Sequence, residues 1–311
     1  MTFPILDSAA TAIKPIAPED APAIGSLIYQ AIGRVFRDHG QPEPVADADE
    51  GTALARRYLA LDPDGALKAE RGGAIVGAGF VHIRDEVASL GPVVVDPEHQ
   101  AQGIGKLLFD RLTERAARCA STRMLVDAFN TRAIGIALKR GYVPRDHGLR
   151  LVALGGLRGP GMLHAIAPTP LRSLAAADLP ALAAYDSAAF GGSRLRDFQA
   201  WFDQGAVGLA AEEGGAWHGY LLGRIEGQLV ILGPGGADSP DLMAQLLARL
   251  GEELAARGTI ALIYLLASQV DLVREAFAMG FRATNLAVYM VRGAYPQVKR
   301  PEVIGLPPDV V

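Results

Sequence analysis

Cysteine is almost missing: the 311 residues contain one, Cys119. A single thiol cannot form an intramolecular disulfide, and it excludes a cysteine-rich metal centre; no metal is expected. A basic surplus is missing too. Lys and Arg total 30 against 34 Asp and Glu, a net charge of −4, and no Lys/Arg run or basic tail occurs, so no nucleic-acid partner is expected. No run of about 18 uncharged apolar residues suggests a membrane span. No basic n-region precedes the first apolar residues, so no signal peptide is expected and the expected compartment is the cytoplasm. What remains is 50% hydrophobic and 21% charged, the balance of a globular chain that buries a core, and long enough for two domains.

The informative stretch runs from Leu90 to Tyr142. An apolar strand, Val93-Val94-Val95, ends at a turn through Asp96-Pro97, and Gln100-Ala101-Gln102-Gly103-Ile104-Gly105-Lys106 then opens an amphipathic helix. That order gathers unpaired backbone N–H groups and the positive end of a helix dipole at one place, which suits a phosphate or diphosphate. It is not a Walker loop, because Gly105-Lys106 is followed by Leu107 and Gln100 stands where the first glycine belongs. It is not the dinucleotide fingerprint either, because Leu108 stands where the third glycine belongs. A second strand is expected over Arg123 to Phe129, and a helix from Asn130-Thr131-Arg132-Ala133 to Gly141-Tyr142.

With Gln100-x-x-Gly103-x-Gly105 followed by Asn130, Ala133 and Gly141-Tyr142, this stretch resembles the GNAT superfamily of acyl-CoA-dependent N-acyltransferases. The resemblance implies an α/β fold with a central mixed, splayed sheet flanked by helices, and acetyl-CoA as cofactor. It implies that the backbones of Val93, Val94 and Val95 line the pantetheine arm. The N–H groups of Gln100, Gln102, Gly103, Ile104 and Gly105 would hold the diphosphate beside Lys106, and Asn130 would reach the pantetheine.

The pattern restarts after a glycine-rich linker, Gly155 to Gly161. Leu171-Arg172-Ser173 mirrors the short strand Ile13-Lys14-Pro15, Leu232-Gly233-Pro234 mirrors Leu90-Gly91-Pro92, and Gly280-Phe281 mirrors Gly141-Tyr142. Ordered anchors of this kind indicate a diverged repeat. The expected organisation is a first copy over 1–158, a degenerate second copy over 159–295 and a proline-rich, extended tail over 296–311. In the second copy Gly233 to Asp241 replaces the glycine loop, Asp238 and Asp241 bring negative charge to it, and Gln269 stands at the Asn130 position. The expected partners are a small-molecule amine and, within the chain, the other copy as a pseudo-dimer, the whole being a monomer or homodimer.

The family resemblance also shows what is missing from the chemistry. Many relatives place a tyrosine acid where this chain has Ala137 and a glutamate base where it has Ser89. The remaining catalytic candidates are His82 on the strand before the central one, Glu86 at that strand's exit, and Asp127, which interrupts the run Met124-Leu125-Val126 in a buried-type strand. His39, and in the second copy Tyr185, Arg194, Tyr220 and Arg224, are further polar groups that could line a cleft, whereas Tyr142 reads as core packing. Two functions fit: an acetyl-CoA-dependent N-acetyltransferase working largely by positioning, with no dominant side-chain acid or base, or a non-catalytic acyl-CoA-binding or sensory protein.

Overall fold

In the computed structural model residues 10–155, 157, 169–255, 257–295 and 300–304 are described. The first nine residues, most of the linker after Gly155 and the 158/159 copy boundary lie outside those residues, as does most of the tail. One series of ten elements occurs twice. It is first β1 (Ala12–Pro15), α1 (Ala21–Asp38), α2 (Ala48–Leu61), β2 (Ala66–Arg71), β3 (Ala74–Arg84), β4 (Val87–Val95), α3 (Ile104–Arg115), β5 (Ser121–Asp127), α4 (Thr131–Leu138) and β6 (Val143–Leu154). It returns as β7 (Leu171–Ser173), α5 (Leu179–Phe190), α6 (Leu195–Asp203), β8 (Val207–Glu213), β9 (Ala216–Glu226), β10 (Leu229–Ala237), α7 (Pro240–Ala255), β11 (Ile260–Leu266), α8 (Val270–Ala278) and β12 (Arg282–Gly293). A last strand, β13 (Glu302–Ile304), has no counterpart in the first series. The sheet is mixed, with parallel β4–β5 and β10–β11 ladders among antiparallel ones, and helices supply the remaining core.

The chain divides into two compact units, and the division does not follow the repeat. One unit is Met1–Ile83 with Leu90–Arg118, and the other is Arg84–Ser89 with Cys119–Val311. In the first unit the strand order is β1-β2-β3-β4. The helix α1 begins at a proline-bearing turn, Pro18–Asp20, and buries Ile24, Leu27, Ile28 and Ala31 at helical spacing. Asp47 caps α2 by accepting from Glu50 N at 2.8 Å. These two helices share a core with Phe80 and Ala78 of β3 and Val94 of β4.

In the second unit the first three residues of β4 pair with β5, and the order continues β12-β6-β11-β13-β10-β9-β8-β7. The sixth strand of each series therefore lies on the fifth strand of the other: β12 pairs with β5, and β6 pairs with β11. Between them β6 and β12 form a long antiparallel ladder from Val143↔Val291 to Val152↔Arg282. That ladder explains why β6 begins at Val143 and not near Leu149, where apolar patterning alone would start it: its first five residues, Val143 to His147, are mostly exposed and are held by backbone pairing to β12. Within the tail, β13 inserts between β10 and β11 and buries Val303.

Burial pushes the Glu302 carboxyl up to about 7, against the opposing pull of Arg194, Arg123 and Arg300, while Asp186 adds to the rise. A carboxyl held above its unfolded value of 4.5 contributes stability that is complete below that value and is lost as pH climbs through about 7. Thermal unfolding at pH 5 and pH 8 should therefore show a smaller loss of Tm in Glu302→Gln than in the wild-type chain; an equal loss would mean that Glu302 titrates normally in the fold.

Candidate functional site

The site starts where β4 stops. Asp96 N donates to Val76 O at 3.0 Å, fixing the strand end to β3. The Asp96 carboxylate accepts from Glu98 N at 2.9 Å and lies 3.0 Å from His99 Nδ1, shaping the turn at Pro97–His99. Gln100 Nε2 donates back to Val95 O at 3.2 Å. Gln102 accepts from Arg71 and donates to Glu98 O at 3.3 Å. Both glutamine side chains thus hold the loop's shape, which leaves ligand binding there to the backbone. Ala101 sits at φ +63 and Gly103 at φ +86, in the left-handed region. Glycine adopts it freely; alanine does so at a cost of about 1–2 kcal/mol, and strain of this kind concentrates at ligand-gripping loops.

Gly103 is the N-cap of α3, no side chain caps that helix, and its first turn has no acid. Its opening N–H groups, at Ile104, Gly105 and Lys106, have no carbonyl one turn earlier to bond. Lys106 beside them is exposed, and an uncapped helix start of this kind suits an anion. Val93, Val94 and Val95 precede it: Val94 is buried against α1 and α2, and Val93 lies beside Gly79 of β3.

The equivalent start of α7 is furnished differently. Ser239 Oγ accepts from Leu242 N at 3.2 Å, and Asp241 stands in the first turn. Ala237 N donates to Pro301 O and Asp238 N to His218 O. The Asp238 side chain accepts from Tyr185 at 2.9 Å and lies 3.0 Å from His218 Nδ1. An anion there would meet carboxylates and occupied amides.

The catalytic candidates separate on geometry. His82 is 2% exposed, its Nδ1 lies 2.8 Å from Asp62 Oδ2, and its ring packs on Tyr58 with centroids 5.8 Å apart. A carboxylate only accepts, so Nδ1 carries a proton toward Asp62. Nε2 is buried with no hydrogen-bond partner among the described residues. Asp62 gets there because the turn after α2 presses onto β3: a Cβ on Gly65 would stand 1.9 Å from Val81 O. Glu86, by contrast, is an exposed turn residue whose carbonyl accepts from Ser121 N at 3.1 Å. Asp127 accepts from Asn285 Nδ2 at 2.6 Å; burial raises its pKa, opposed by that bond and by Arg150. It has the partner that a carboxylate in a buried strand requires. Asn130 caps α4 by accepting from Ala133 N at 3.1 Å. Ala137 and Tyr142 are core residues.

The polar groups singled out in the second copy form structural pairs. Arg194 binds Asp186 at 2.8 and 2.6 Å and stacks 4.4 Å over Phe190, and Tyr220 donates to the same carboxylate. Arg224 lies 4.2 Å over Trp201 and pairs with Glu226 at 2.9 Å. Sequence reading did not find Asp62, Arg71 or the strained Ala101. Asp62 reads as a helix-ending turn residue, and nothing in a linear pattern connects it with His82. No group of three or more His, Cys, Asp or Glu side chains among the described residues could hold a metal.

Residues 29–142 match the acetyltransferase (GNAT) family. Over 144 residues the chain is 31% identical to mycothiol acetyltransferase of Streptomyces griseus subsp. griseus; the match covers 43% of this chain and 46% of that protein, so it spans about half of the curated relative. A crystal structure of an acetyltransferase-like protein from Pyrococcus horikoshii superposes with a TM-score of 0.73 at 21% identity, covering 100% of this chain and 99% of the other. The tandem GNAT protein of the clavulanic acid biosynthesis pathway superposes at 0.58 and 14% identity, covering 93% and 100%. At these identities the structures establish the fold, a GNAT-like one.

If Gly65 is what lets Asp62 reach His82, Gly65→Ala should cost about 1–3 kcal/mol in denaturant unfolding, the usual penalty of overpacking. Gly135→Ala in α4, where a new Cβ meets nothing within 4 Å, should be neutral or slightly stabilising. Equal effects at the two sites would refute the close-approach argument.

Proposed function

We propose that this chain, which carries an acetyltransferase domain of the GNAT family at residues 29–142, is an acetyl-CoA-dependent N-acetyltransferase that acts on a small-molecule amine and holds its cofactor on the first copy. The observation that carries the reading is the contrast between helix starts. That of α3 is uncapped and free of acid, whereas that of α7 is capped by Ser239 and carries Asp241. Gln102, Gly103, Ile104 and Gly105 would present N–H groups to a diphosphate, Lys106 would add a counter-charge, and β4 at Val93–Val95 would run beside the pantetheine arm. Asn130 reads as the cap of α4 first and as a cofactor contact second.

When bound, acetyl-CoA supplies the thioester carbonyl that a neutral amine attacks. The chain must then take a proton from the amine, directly or through one water. Of the three candidates, only His82 has the arrangement of an oriented base, with Asp62 against Nδ1 and Nε2 without a hydrogen-bond partner among the described residues. Sequence alone suggested a reaction with no dominant acid or base; the Asp62–His82 pair supports a reading in which His82 is the main proton acceptor. Ala137 leaves the departing thiolate without the tyrosine acid seen in many relatives, so its proton would come from solvent or from the proton that His82 has taken.

The alternative of an acyl-CoA-binding or sensory protein draws on the same vacant positions, Ala137 and Ser89, and predicts binding without free thiol release.

Calorimetry should give about one CoA per chain, and Gly103→Asp, which sets a carboxylate against the diphosphate, should abolish binding. A ratio of two, or binding indifferent to Gly103→Asp, would overturn the site assignment. With a confirmed acceptor, His82→Gln should lower kcat/KM by about 100-fold or more, while Glu86→Gln and Asp127→Asn each change it by less than about tenfold. Full activity in folded His82→Gln would remove His82 from the reaction.

A further inference from the structure

The parallel ladder between β10 and β11 is short: Leu229, Val230 and Ile231 pair with Ile260, Ala261 and Leu262. Beyond a register irregularity between Leu232 and Gly235 in β10, the two strands pair with a third segment. Gly235 and Gly236 pair with Val303 and Glu302, and Tyr264 and Leu265 pair with Ile304 and Val303. That segment is β13, the chain's own tail. A strand inserted between two others satisfies both exposed edges at once.

The tail is held by more than its ladders. Ala237 N donates to Pro301 O at 3.0 Å. The Gln269 side chain, at the start of α8, brackets the Glu302 backbone: its Nε2 donates to Glu302 O at 3.0 Å and its Oε1 accepts from Glu302 N at 2.6 Å. Arg300 lies 4.4 Å over the Tyr185 ring, donates to Tyr185 O at 3.4 Å and stands 3.6 Å from Asp238. Val303 is 1% exposed. A tail merely lying on a surface would not combine two ladders, a side-chain clamp, a cation–π contact and a buried apolar residue.

We propose that β13 is a built-in occupant of the second copy, an extended backbone from the chain itself that fills the gap between β10 and β11 and closes that copy to any extended amide ligand, so that cofactor capacity is one per chain. The last clause rests on the cofactor reading of the first copy; the occupancy itself does not. Gln269 acts as a positioning residue for the tail, and the Gly235–Gly236 edge is its receptor. Before the start of α7, Ala237 N is bonded to Pro301 O of the tail and Asp238 N to His218 O, so the same insertion that fills the gap also occupies a backbone amide there.

Hydrogen exchange on the full-length protein tests this. In the wild type, segments 235–237 and 264–266 should be protected as strongly as the ladder at 229–231 and 260–262. Val303→Pro, which cannot pair on both sides, should speed exchange in 235–237 and 264–266 by about tenfold or more and leave the 229–231 ladder unchanged. Gln269→Ala, a milder change that keeps the chain intact if Val303→Pro does not fold, should speed exchange at the Glu302 amide. Exposed-loop exchange rates in the wild-type segments would overturn the proposal, as would unchanged protection in both variants. A wild-type ratio of two CoA per chain with the tail protected would overturn it too. A ratio of zero with the tail protected would instead defeat only the cofactor reading of the first copy.

Discussion

The larger unit depends on the ladder between β6 and β12. Each is the last strand of its own series, and each lies on the fifth strand of the other series, so neither half of the sequence finishes its sheet with its own residues. Backbone N–H and C=O groups must be paired wherever they are buried, and here the partners lie more than a hundred residues apart. An exchange of this kind ties the folding of one half to the other. It also explains why the compact units cut across the repeat: β5, α4 and β6 belong with the second series in space although they belong to the first in sequence.

The same demand for backbone partners distinguishes the two copies functionally. Two strands that pair in parallel for three residues and then part leave edges that something must satisfy. In the second copy the chain supplies that partner from its tail, and Ala237 N and Asp238 N before the next helix are bonded to protein. In the first copy no side chain caps the next helix start, and the loop's glutamines brace the loop against β4 and Arg71. One fold thus carries two differently furnished helix starts, and the proposed cofactor site rests on that difference.

Buried polar groups follow the same division of labour. Arg194–Asp186–Tyr220, Arg84–Asp197 and Arg224 over Trp201 are charges and dipoles satisfied within the second unit, and they stabilise a unique arrangement of α5 and α6 on the sheet. Removing one partner of such a pair leaves an uncompensated buried charge, which is costly. The Asp62–His82 pair differs in one respect: with Nδ1 against Asp62, the other ring nitrogen is buried with no hydrogen-bond partner among the described residues. That residual capacity is what the proposed role of His82 rests on.

The sequence by itself determined the family resemblance, the strand–glycine loop–helix order of the candidate anion site and the duplicated element order, because each is written in local signals: glycine spacing, a strand ending in valines, capping residues, and anchors recurring in register. It also marked His82, Glu86 and Asp127 as groups to weigh, but could not rank them. Ranking needed Asp62 beside His82 and Asn285 beside Asp127, contacts across 20 and 158 residues of chain that no periodicity encodes. The exchange of β6 and β12 and the insertion of β13 were likewise decided only in three dimensions. Strand order depends on which distant edge is left unpaired when the rest has folded, and a three-residue strand beside several prolines has too little local pattern to announce its partner.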